Sequence, residues 1–376
     1  MHRSGQYIMQ PSEYKAFIPT PLPPSLKIDD AMQQLLSDAN IAIGRLDTMG
    51  HLLPNIQHII AMYVRKEALL SSQIEGTQAS LEDIFEYENH VSIHNVQDVE
   101  EVVHYIKALN HGLTRLKEFP MSIRLIKEIH YILLSQARGQ DKTPGEFRRS
   151  QNWIGPAGCT LKNATFVPPP PHEAIDAMGK LELYLHEPTT LPVLVATALI
   201  HYQFETIHPF LDGNGRLGRL LITFYLCWKH VLEKPLLYLS YYFKLHRQEY
   251  YDRLNMVREQ GEYEQWIQFF LKGVIWTSQS ALDTIKQILA LVETHKKLLF
   301  QHKISSPVAM ALLDHLFIKP HVSTSEIASA LSISYQSAQT MIMQFVKLSI
   351  VKEITGKERN RRFSYWQYID YLSEGT

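Results

Sequence analysis

Twelve consecutive residues, 208–219, place a histidine, an aspartate, three glycines and two arginines between two apolar stretches of the chain. Pro209 disfavours the helical conformation for the residue before it, so the helix predicted over residues 193–207 should end at His208. The Gly-Asn-Gly run at residues 213–215 can take positive φ, and apolar residues at helical spacing follow it. The sequence therefore predicts a helix end, a tight loop and a new helix within this segment.

The start of the second helix is predicted to bind phosphate. Its unpaired backbone amides, from residue 213 to residue 218, form an anion cradle that the helix dipole reinforces. Arg216 and Arg219 share a helix face and have planar, forked donors that suit phosphate oxygens. Asp212 beside this cradle indicates a bridging cation, the usual arrangement for Mg²⁺. His208 would then act as the general base for a hydroxyl that attacks phosphorus.

The segment resembles the signature of the Fic family, His-x-Phe-x-Asp/Glu-Gly-Asn-Gly-Arg-x-x-Arg. Every residue that the signature specifies is present in it. A glycine-rich turn that only caps a helix, or a structural histidine before proline, would explain single fragments but not the combination. Family members are mostly helical proteins that transfer AMP from ATP to a target hydroxyl. The resemblance therefore implies a protein adenylyltransferase that modifies Ser, Thr or Tyr on target proteins and on itself, and releases pyrophosphate.

The resemblance also assigns roles to individual residues. His208 is the general base, Phe210 packs under the loop, and Asp212 holds Mg²⁺. The phosphates of ATP are bound by the rest of the signature: Gly213, Asn214, Gly215, Arg216, Leu217, Gly218 and Arg219. Tyr250 and Tyr251 lie where the family has a tyrosine pair in the adenine pocket, although aromatic residues at helical spacing are also typical of a core.

A second motif ends the helix predicted over residues 55–74. Gly76 is typical of a helix C-cap, and Glu75 is unfavourable there because that end of the helix dipole is already negative. The hexamer from Ser71 to Gly76 resembles the inhibitory motif Ser/Thr-x-x-x-Glu-Gly/Asn of Fic proteins. By that resemblance Glu75 pairs with Arg219 and occupies the space that the γ-phosphate of ATP needs. A solvated glutamate on a surface helix is the alternative.

Two segments before the signature also match Fic proteins. Three residues fit a Gly-x-Phe/Tyr-Arg motif: Gly145, Phe147 and Arg148. Residues 151–154 and 164–167 are β-prone runs separated by a turn at residues 155–158, and they predict a β-hairpin. In Fic proteins such a flap adds the backbone of the target protein as a neighbouring strand. A plain hairpin that packs on helices is the alternative.

Most of the remaining first 300 residues predict helices. Residues 1 to about 25 carry five prolines and predict an extended arm with little regular structure. His201 is predicted to be a core histidine, because the sequence offers no further ligands at the spacing of a metal site. Helices are predicted over residues 28–53, 55–74 after a break at Pro54, 80–119 with a turn at residues 89–95, 122–134, 193–207 and 275–303.

Beyond residue 304 the pattern changes to that of a winged helix. Three predicted helices, the second with a capping box at residues 323–326, precede two β-prone runs around a basic tip. Gln336 and Gln339 could contact DNA together with the wing. Docking on a protein is the alternative, because positive charge is concentrated only in the wing. The basic wing residues are Lys357, Arg359, Arg361 and Arg362.

The predicted fold class is mainly α: a helical Fic core with a short β-hairpin flap, followed by a winged helix-turn-helix domain. Four parts are expected. They are an N-terminal arm and helical region with the inhibitory helix at residues 1–110, a Fic core at 111–275, a linking helix at 276–303 and a winged-helix domain at 304–376.

Composition limits the compartment and the partners. The net charge of −1 and the pI near 7.0 argue against a nucleic-acid surface along the whole chain. Cys159 and Cys227 are far apart in sequence and predict free thiols in a reduced compartment. The N-terminus lacks the apolar core of a signal peptide, and no apolar run reaches membrane-spanning length. We therefore expect a cytoplasmic protein without a membrane partner.

The expected partners are ATP with Mg²⁺, and a target protein bound along the flap hairpin. A homodimer, and a DNA or protein partner of the winged helix, are left open. Two other functions also remain. Relatives on this scaffold remove AMP or transfer a different phosphate-containing group. From a different class, the chain would be a winged-helix DNA-binding regulator that senses ATP.

Overall fold

The computed structural model is mainly helical. None of the helices in the described part of the chain combines the length and the apolar character needed to cross a bilayer. The predicted break at Pro54, most of the predicted turn at residues 89–95 and residue 157 of the predicted flap turn lie outside the described residues. The structure describes residues 3–52, 56–88, 95–135, 141–156 and 158–376.

The N-terminal arm is a β-hairpin, so the prediction of an irregular segment is wrong. Strand β1 (Gly5–Met9) pairs antiparallel with strand β2 (Lys15–Pro19), with Tyr7 opposite Phe17. The prolines of this region fall in the turn, at the end of β2 or beyond it, so they remove no donor from the middle of the ladder. The Phe17 amide also donates to the carbonyl of Val167 at 3.0 Å, which ties the hairpin to the flap segment.

Five helices follow, and the periodicity of apolar residues predicts each of them. The predicted bounds of the first two are within two residues of the observed ones. Ser122 caps the fifth helix, its side chain accepting from the Leu125 amide. The helices are α1 (Asp30–Leu52), α2 (Ile56–Ile74), α3 (Leu81–Glu88), α4 (Val96–Arg115) and α5 (Ile123–Leu134).

The centre of the molecule is the helix pair that flanks the signature. Helix α6 (Pro171–His186) packs on α7 (Val193–Ile207), and α7 packs on α8 (Asn214–Trp228). Every residue of α7 from Leu194 onwards is buried, as its apolar composition predicts. Helices α7 and α8 therefore fix the two ends of the signature loop from inside the core.

The predicted flap hairpin is reduced to a single pair of residues. Ile154 and Phe166 exchange two backbone hydrogen bonds of 2.8 and 3.0 Å in an antiparallel bridge. The ladder does not continue past Phe166 because residues 168–171 are prolines, which lack amide donors. The two segments are thus antiparallel as predicted, but they are not two regular strands.

Three helices complete the core: α9 (Ser240–Leu245), α10 (Arg247–Gln260) and α11 (Tyr263–Gln301). Helix α11 continues unbroken through the predicted boundary at residue 275 and packs along α1. The Trp266 indole on α11 donates to the Ala198 carbonyl on α7 at 2.8 Å. One long helix therefore packs against both the central helices and the N-terminal region.

The C-terminal part contains the predicted three helices followed by two strands, with two additional elements: a short strand before the second helix and a helix at the end. Strand β5 (Arg362–Ser364) lies between β3 (His321–Ser323) and β4 (Lys352–Glu353) and pairs antiparallel with both, with Val322 opposite Phe363. Ser323 and Glu326 form the predicted capping box. The elements are α12 (Pro307–Ile318), β3 (His321–Ser323), α13 (Thr324–Ala330), α14 (Tyr335–Lys347), β4 (Lys352–Glu353), β5 (Arg362–Ser364) and α15 (Trp366–Ser373).

Candidate functional site

The signature forms the predicted helix end, loop and helix start. Helix α7 ends at Ile207, and His208 takes a left-handed conformation with φ 49°. Gly213 precedes α8 with φ 76°, a conformation that glycine adopts without a Cβ penalty. Gly215 already lies within α8 and does not have a positive φ. The expectation that positive φ explains a glycine at residue 215 is therefore wrong.

The side chain of Asn214 shapes the loop. Its Oδ1 accepts from the Phe210 amide at 2.9 Å, and its Nδ2 donates to the Phe210 carbonyl at 2.8 Å. Asn152 donates to the same carbonyl at 2.8 Å. Phe210 is fully buried under the loop, as the resemblance implies. The Asn214 side chain is therefore committed to the loop, which leaves its backbone amide for the anion cradle.

His130 on α5 supports the loop from below. Its Nδ1 accepts from the Gly145 amide at 2.8 Å, so its Nε2 carries the proton that it donates to the Asp212 carbonyl at 3.0 Å. Its ring stacks on Phe210 with 3.7 Å between centroids. Burial lowers the pKa of His130 to about 4, which keeps the ring neutral. His130 was not among the residues predicted from the sequence, although its place on the apolar face of α5 marks it as buried.

Arg148, the last residue of the Gly-x-Phe-Arg motif, holds the backbone of the catalytic candidate. Its side chain is buried and donates to the carbonyls of His208 at 2.9 Å, Ser150 at 3.3 Å and Pro169. Its backbone amide donates to the Pro209 carbonyl at 2.9 Å. The motif therefore positions the chain around His208.

The imidazole of His208 is neutral, and one of its nitrogens is unprotonated. Its Nδ1 lies 3.3 Å from the Glu205 carbonyl, and because a carbonyl only accepts, Nδ1 carries the proton and Nε2 is left unprotonated. Burial, and then the positive charges of Arg148 and Arg258, lower the pKa of His208 to about 4. The imidazole is therefore neutral at pH 7 and has a nitrogen that can accept a proton.

The predicted ion pair between Glu75 and Arg219 is present. The Arg219 guanidinium, with a side chain only 2% exposed, donates from Nη2 to Glu75 Oε1 at 2.6 Å. Its other bonds go to Ser71, to Oγ at 2.8 Å and to the carbonyl at 2.9 Å. Burial alone would raise the pKa of Glu75, but the charge and hydrogen bond of Arg219, and then Arg216, hold it below its ordinary value.

The Glu75 carboxylate lies against the first turn of α8. A Cβ atom on Gly215 would overlap Glu75 Oε1, so the absence of a side chain at residue 215 makes this approach sterically open. The N-terminus of a helix attracts anions through its unpaired amides and its dipole. A carboxylate from the turn after α2 thus occupies part of the cradle in which the sequence predicts phosphate.

Arg216 pairs with a buried glutamate that was not predicted from the sequence. Its Nη1 lies 3.4 Å from Oε2 of Glu101 on α4, and the same oxygen accepts from Thr77 at 3.0 Å. Glu101 is buried, although it belongs to a charged run at residues 98–101 near the start of α4. Arg216 also lies 3.6 Å from Oδ1 of Asp212, whose side chain is 43% exposed.

The tyrosine pair divides into a core residue and a more accessible one. Tyr250 is buried, and its hydroxyl donates to His201 Nε2 at 2.8 Å, since His201 Nδ1 donates to the Gly218 carbonyl at 2.9 Å. His201 is a buried histidine that supports the signature helix, which confirms the prediction of a core role. Tyr251 is partly exposed and lies 5.1 Å from Tyr250, ring to ring.

Two family models match the chain in the region just described. Residues 33–114 match the model described as Fic/DOC family N-terminal, and residues 120–226 match the model described as Fic/DOC family. The second match contains the signature loop, the flap segment, α7 and all but the last two residues of α8. The first match contains α2 and Glu75, which directly follows that helix.

Curated relatives carry the name protein adenylyltransferase Fic. The protein from Aedes aegypti is 30% identical over 249 residues, which cover 64% of this chain and 43% of that protein. The protein from Culex quinquefasciatus is 29% identical over 241 residues, which cover 60% of this chain and 44% of that protein. The chain therefore spans less than half the length of these relatives.

Among solved structures, a Fic family protein from Desulfovibrio desulfuricans is similar in fold. It superposes with a TM-score of 0.60 at 20% identity, and covers 91% of this chain and 98% of its own. At that identity the likeness concerns the fold alone. It extends over the helical core and most of the remaining chain.

Two adjacent serines on α2 test the energetics of the Arg219 site. We expect Ser71→Ala to lower the free energy of unfolding by roughly 1.5–3 kcal/mol, because the buried Arg219 Nε loses its acceptor. Ser72 is equally buried, and its Oγ has no partner among the described residues, so Ser72→Ala should change stability little. Urea denaturation of both variants measures the difference, and equal losses would contradict this account.

Proposed function

The chain belongs to the Fic/DOC family, and on that premise we propose that it is a protein adenylyltransferase. It transfers AMP from ATP to a Ser, Thr or Tyr hydroxyl of target proteins and of itself. One observation carries the proposal. An anion-binding site at the N-terminus of α8, where Arg219 binds a carboxylate, lies next to the loop that begins with the neutral imidazole of His208. The names of the curated relatives support the same activity.

In the proposed reaction the target hydroxyl attacks the α-phosphorus of ATP. The unprotonated Nε2 of His208 takes the hydroxyl proton, a new P–O bond to the target forms, and the bond to pyrophosphate breaks. The amides at the start of α8 hold the α- and β-phosphates, and Arg216 and Arg219 bind the outer phosphates. The chain thus contributes positioning, charge neutralisation and one proton transfer.

Asp212 fits the part of a magnesium ligand. Its carboxylate is partly open to solvent, and its Oδ1 already accepts from the Gly213 amide at 2.6 Å at the mouth of the phosphate cradle. The described residues contain no cluster of three or more metal-ligating side chains, so the other ligands would come from ATP phosphates and water, as is usual for Mg²⁺. When bound, the ion would neutralise charge that develops on the phosphates.

We further propose that the target protein lies along the flap. The bridge between Ile154 and Phe166 leaves a short edge, and Trp153 beside it is 41% exposed. The edge at Phe166 is adjacent to β2 through the Phe17–Val167 hydrogen bond, so an incoming strand would pair beside Ile154.

Both cysteines are free thiols, which supports a cytoplasmic location.

The chemistry is tested with ATP labelled at the α- or the γ-phosphate. In the full chain carrying Glu75→Gly, we expect label on protein from α-³²P-ATP and none from γ-³²P-ATP. Adding His208→Ala should lower incorporation by at least about 100-fold, because the general base is lost. His302→Ala, an exposed histidine at the end of α11, is the matched control. Label from the γ-position, or undiminished incorporation without His208, would contradict the proposal.

The inhibitory role of Glu75 gives a separate prediction. Glu75→Gly removes the carboxylate from Arg219 without touching the base or the cradle, so self-modification should rise above the wild type. Glu75→Asp keeps the charge but is a methylene shorter, and should fall between the two. The measurement is incorporated AMP per protein over time. A folded Glu75→Gly variant no more active than wild type would leave Glu75 as an ordinary helix-end residue.

A second, additional function of the C-terminal part is DNA binding, favoured by its exposed wing. Lys357 and Arg359 are exposed, as is Gln336 at the start of α14. Two of the residues predicted to contact DNA are less accessible, because their side chains already have partners within the protein. Gln339 accepts from Thr324 at 2.8 Å, and the side chain of Arg362 is only 15% exposed and lies near Glu326. The proposed DNA surface is therefore smaller than the sequence suggested.

Neutralising the wing tests this second function. Lys357→Gln, Arg359→Gln and Arg361→Gln together should abolish salt-sensitive DNA binding and leave self-modification unchanged, because phosphate contacts carry most non-specific affinity. A triple control changes three exposed lysines on and after α11, namely Lys286, Lys297 and Lys303, to glutamine. Fluorescence anisotropy at several salt concentrations gives the affinities. If the wild type binds no DNA at low salt, the wing is left as a protein-docking surface.

A further inference from the structure

The inhibitory helix α2 is enclosed from two sides. On one side it packs on α4, α8 and α9 of the catalytic half, where Ser71 and Glu75 meet Arg219. On the other side it packs on α12 and α15 of the C-terminal part. The position of α2, and therefore of Glu75, depends on both contacts.

One lysine joins the C-terminal segment to the turn that carries Glu75. Lys244 Nζ on α9 donates to Gln73 Oε1 at 2.6 Å and to the Gly375 carbonyl at 3.0 Å. Gln73 lies two residues before Glu75, and its Nε2 donates to the Ala79 carbonyl at 3.0 Å. A continuous series of hydrogen bonds thus runs from Gly375 through Lys244 and Gln73 to the far end of the turn.

The C-terminal segment packs tightly against α9. Gly375 has φ +84°, and a Cβ atom there would overlap the ring of Tyr241 on α9. The same ring also contacts α2, because Lys66 Nζ lies 4.9 Å from its centroid. Residues 241 and 244 of α9 therefore contact both α2 and the segment after α15.

We propose that Lys244 is a latch through which the segment at residues 373–376 holds the Glu75 turn in its inhibitory position. The inference rests on the proposed function, since it extends the inhibition by Glu75. The ion pair with Arg219 and the latch act on the same turn, so their free energies together set the fraction of molecules with Glu75 in the cradle. The C-terminal part then has a role in controlling catalysis, whatever else it binds.

Two variants break the latch from opposite sides. Lys244→Met removes both hydrogen bonds and keeps the aliphatic stem, while Gly375→Ala displaces the segment from Tyr241 without changing the catalytic half. Lys272→Met, an exposed lysine of α11, is the control. Each latch variant, in the full chain, should raise AMP incorporation by roughly threefold to tenfold, the effect of one hydrogen bond or slightly more. The control should match the wild type.

Two further readouts decide whether the effect passes through Glu75. Amide hydrogen exchange at residues 75–79 should become faster in both latch variants. In the Glu75→Gly background neither variant should add activity, because the inhibitory carboxylate is already gone. A rise that persists in that background, or exchange and activity equal to wild type, would overturn the latch. Faster exchange without AMP incorporation in any variant, Glu75→Gly included, would support the latch and contradict the transferase.

Discussion

The buried guanidinium of Arg219 is the constraint on which the catalytic half depends. A cation with almost no solvent exposure needs a counter-charge and acceptors for its donors. Burial raises the pKa of the neighbouring Glu67 and Glu205 to about 7, so at neutral pH neither is a full counter-charge. Glu75 has a lowered pKa and makes the direct bond. The site therefore holds one anion, which is a carboxylate here and a phosphate in the proposed reaction.

Around this charge, polar groups fix the backbone of the loop. Asn214 and Asn152 bind the peptide groups of Phe210, His130 binds the Asp212 carbonyl, and Arg148 binds the His208 carbonyl. Asn214, His130 and Arg148 cannot rearrange without leaving a buried polar group unpaired, because each bonds to a group that its neighbours do not serve. The loop is thus preorganised, and the cradle at the start of α8 is formed before any nucleotide arrives.

Local patterns in the sequence predicted the helices, the end of α7 at His208 and the capping box, because each depends on residues close in the chain. The Glu75–Arg219 pair joins residues 144 positions apart, and only the family resemblance predicted it. The pairing of Glu101 with Arg216 and the support from His130 were missed, since burial in a distant contact is not visible in one sequence. The N-terminal hairpin was not predicted, because five prolines among its residues and those just after it suggested a segment without regular hydrogen bonding.

The central claim, that Glu75 and the γ-phosphate exclude each other at Arg219, is tested most directly by calorimetric titration with ATP and ADP. The measurement uses His208→Ala protein, which prevents turnover, with and without Glu75→Gly. Removing the carboxylate should strengthen ATP binding by about tenfold or more, as expected for one charge-assisted hydrogen bond, and strengthen ADP binding much less. An ATP-to-ADP affinity ratio that is the same with and without Glu75 would contradict the account.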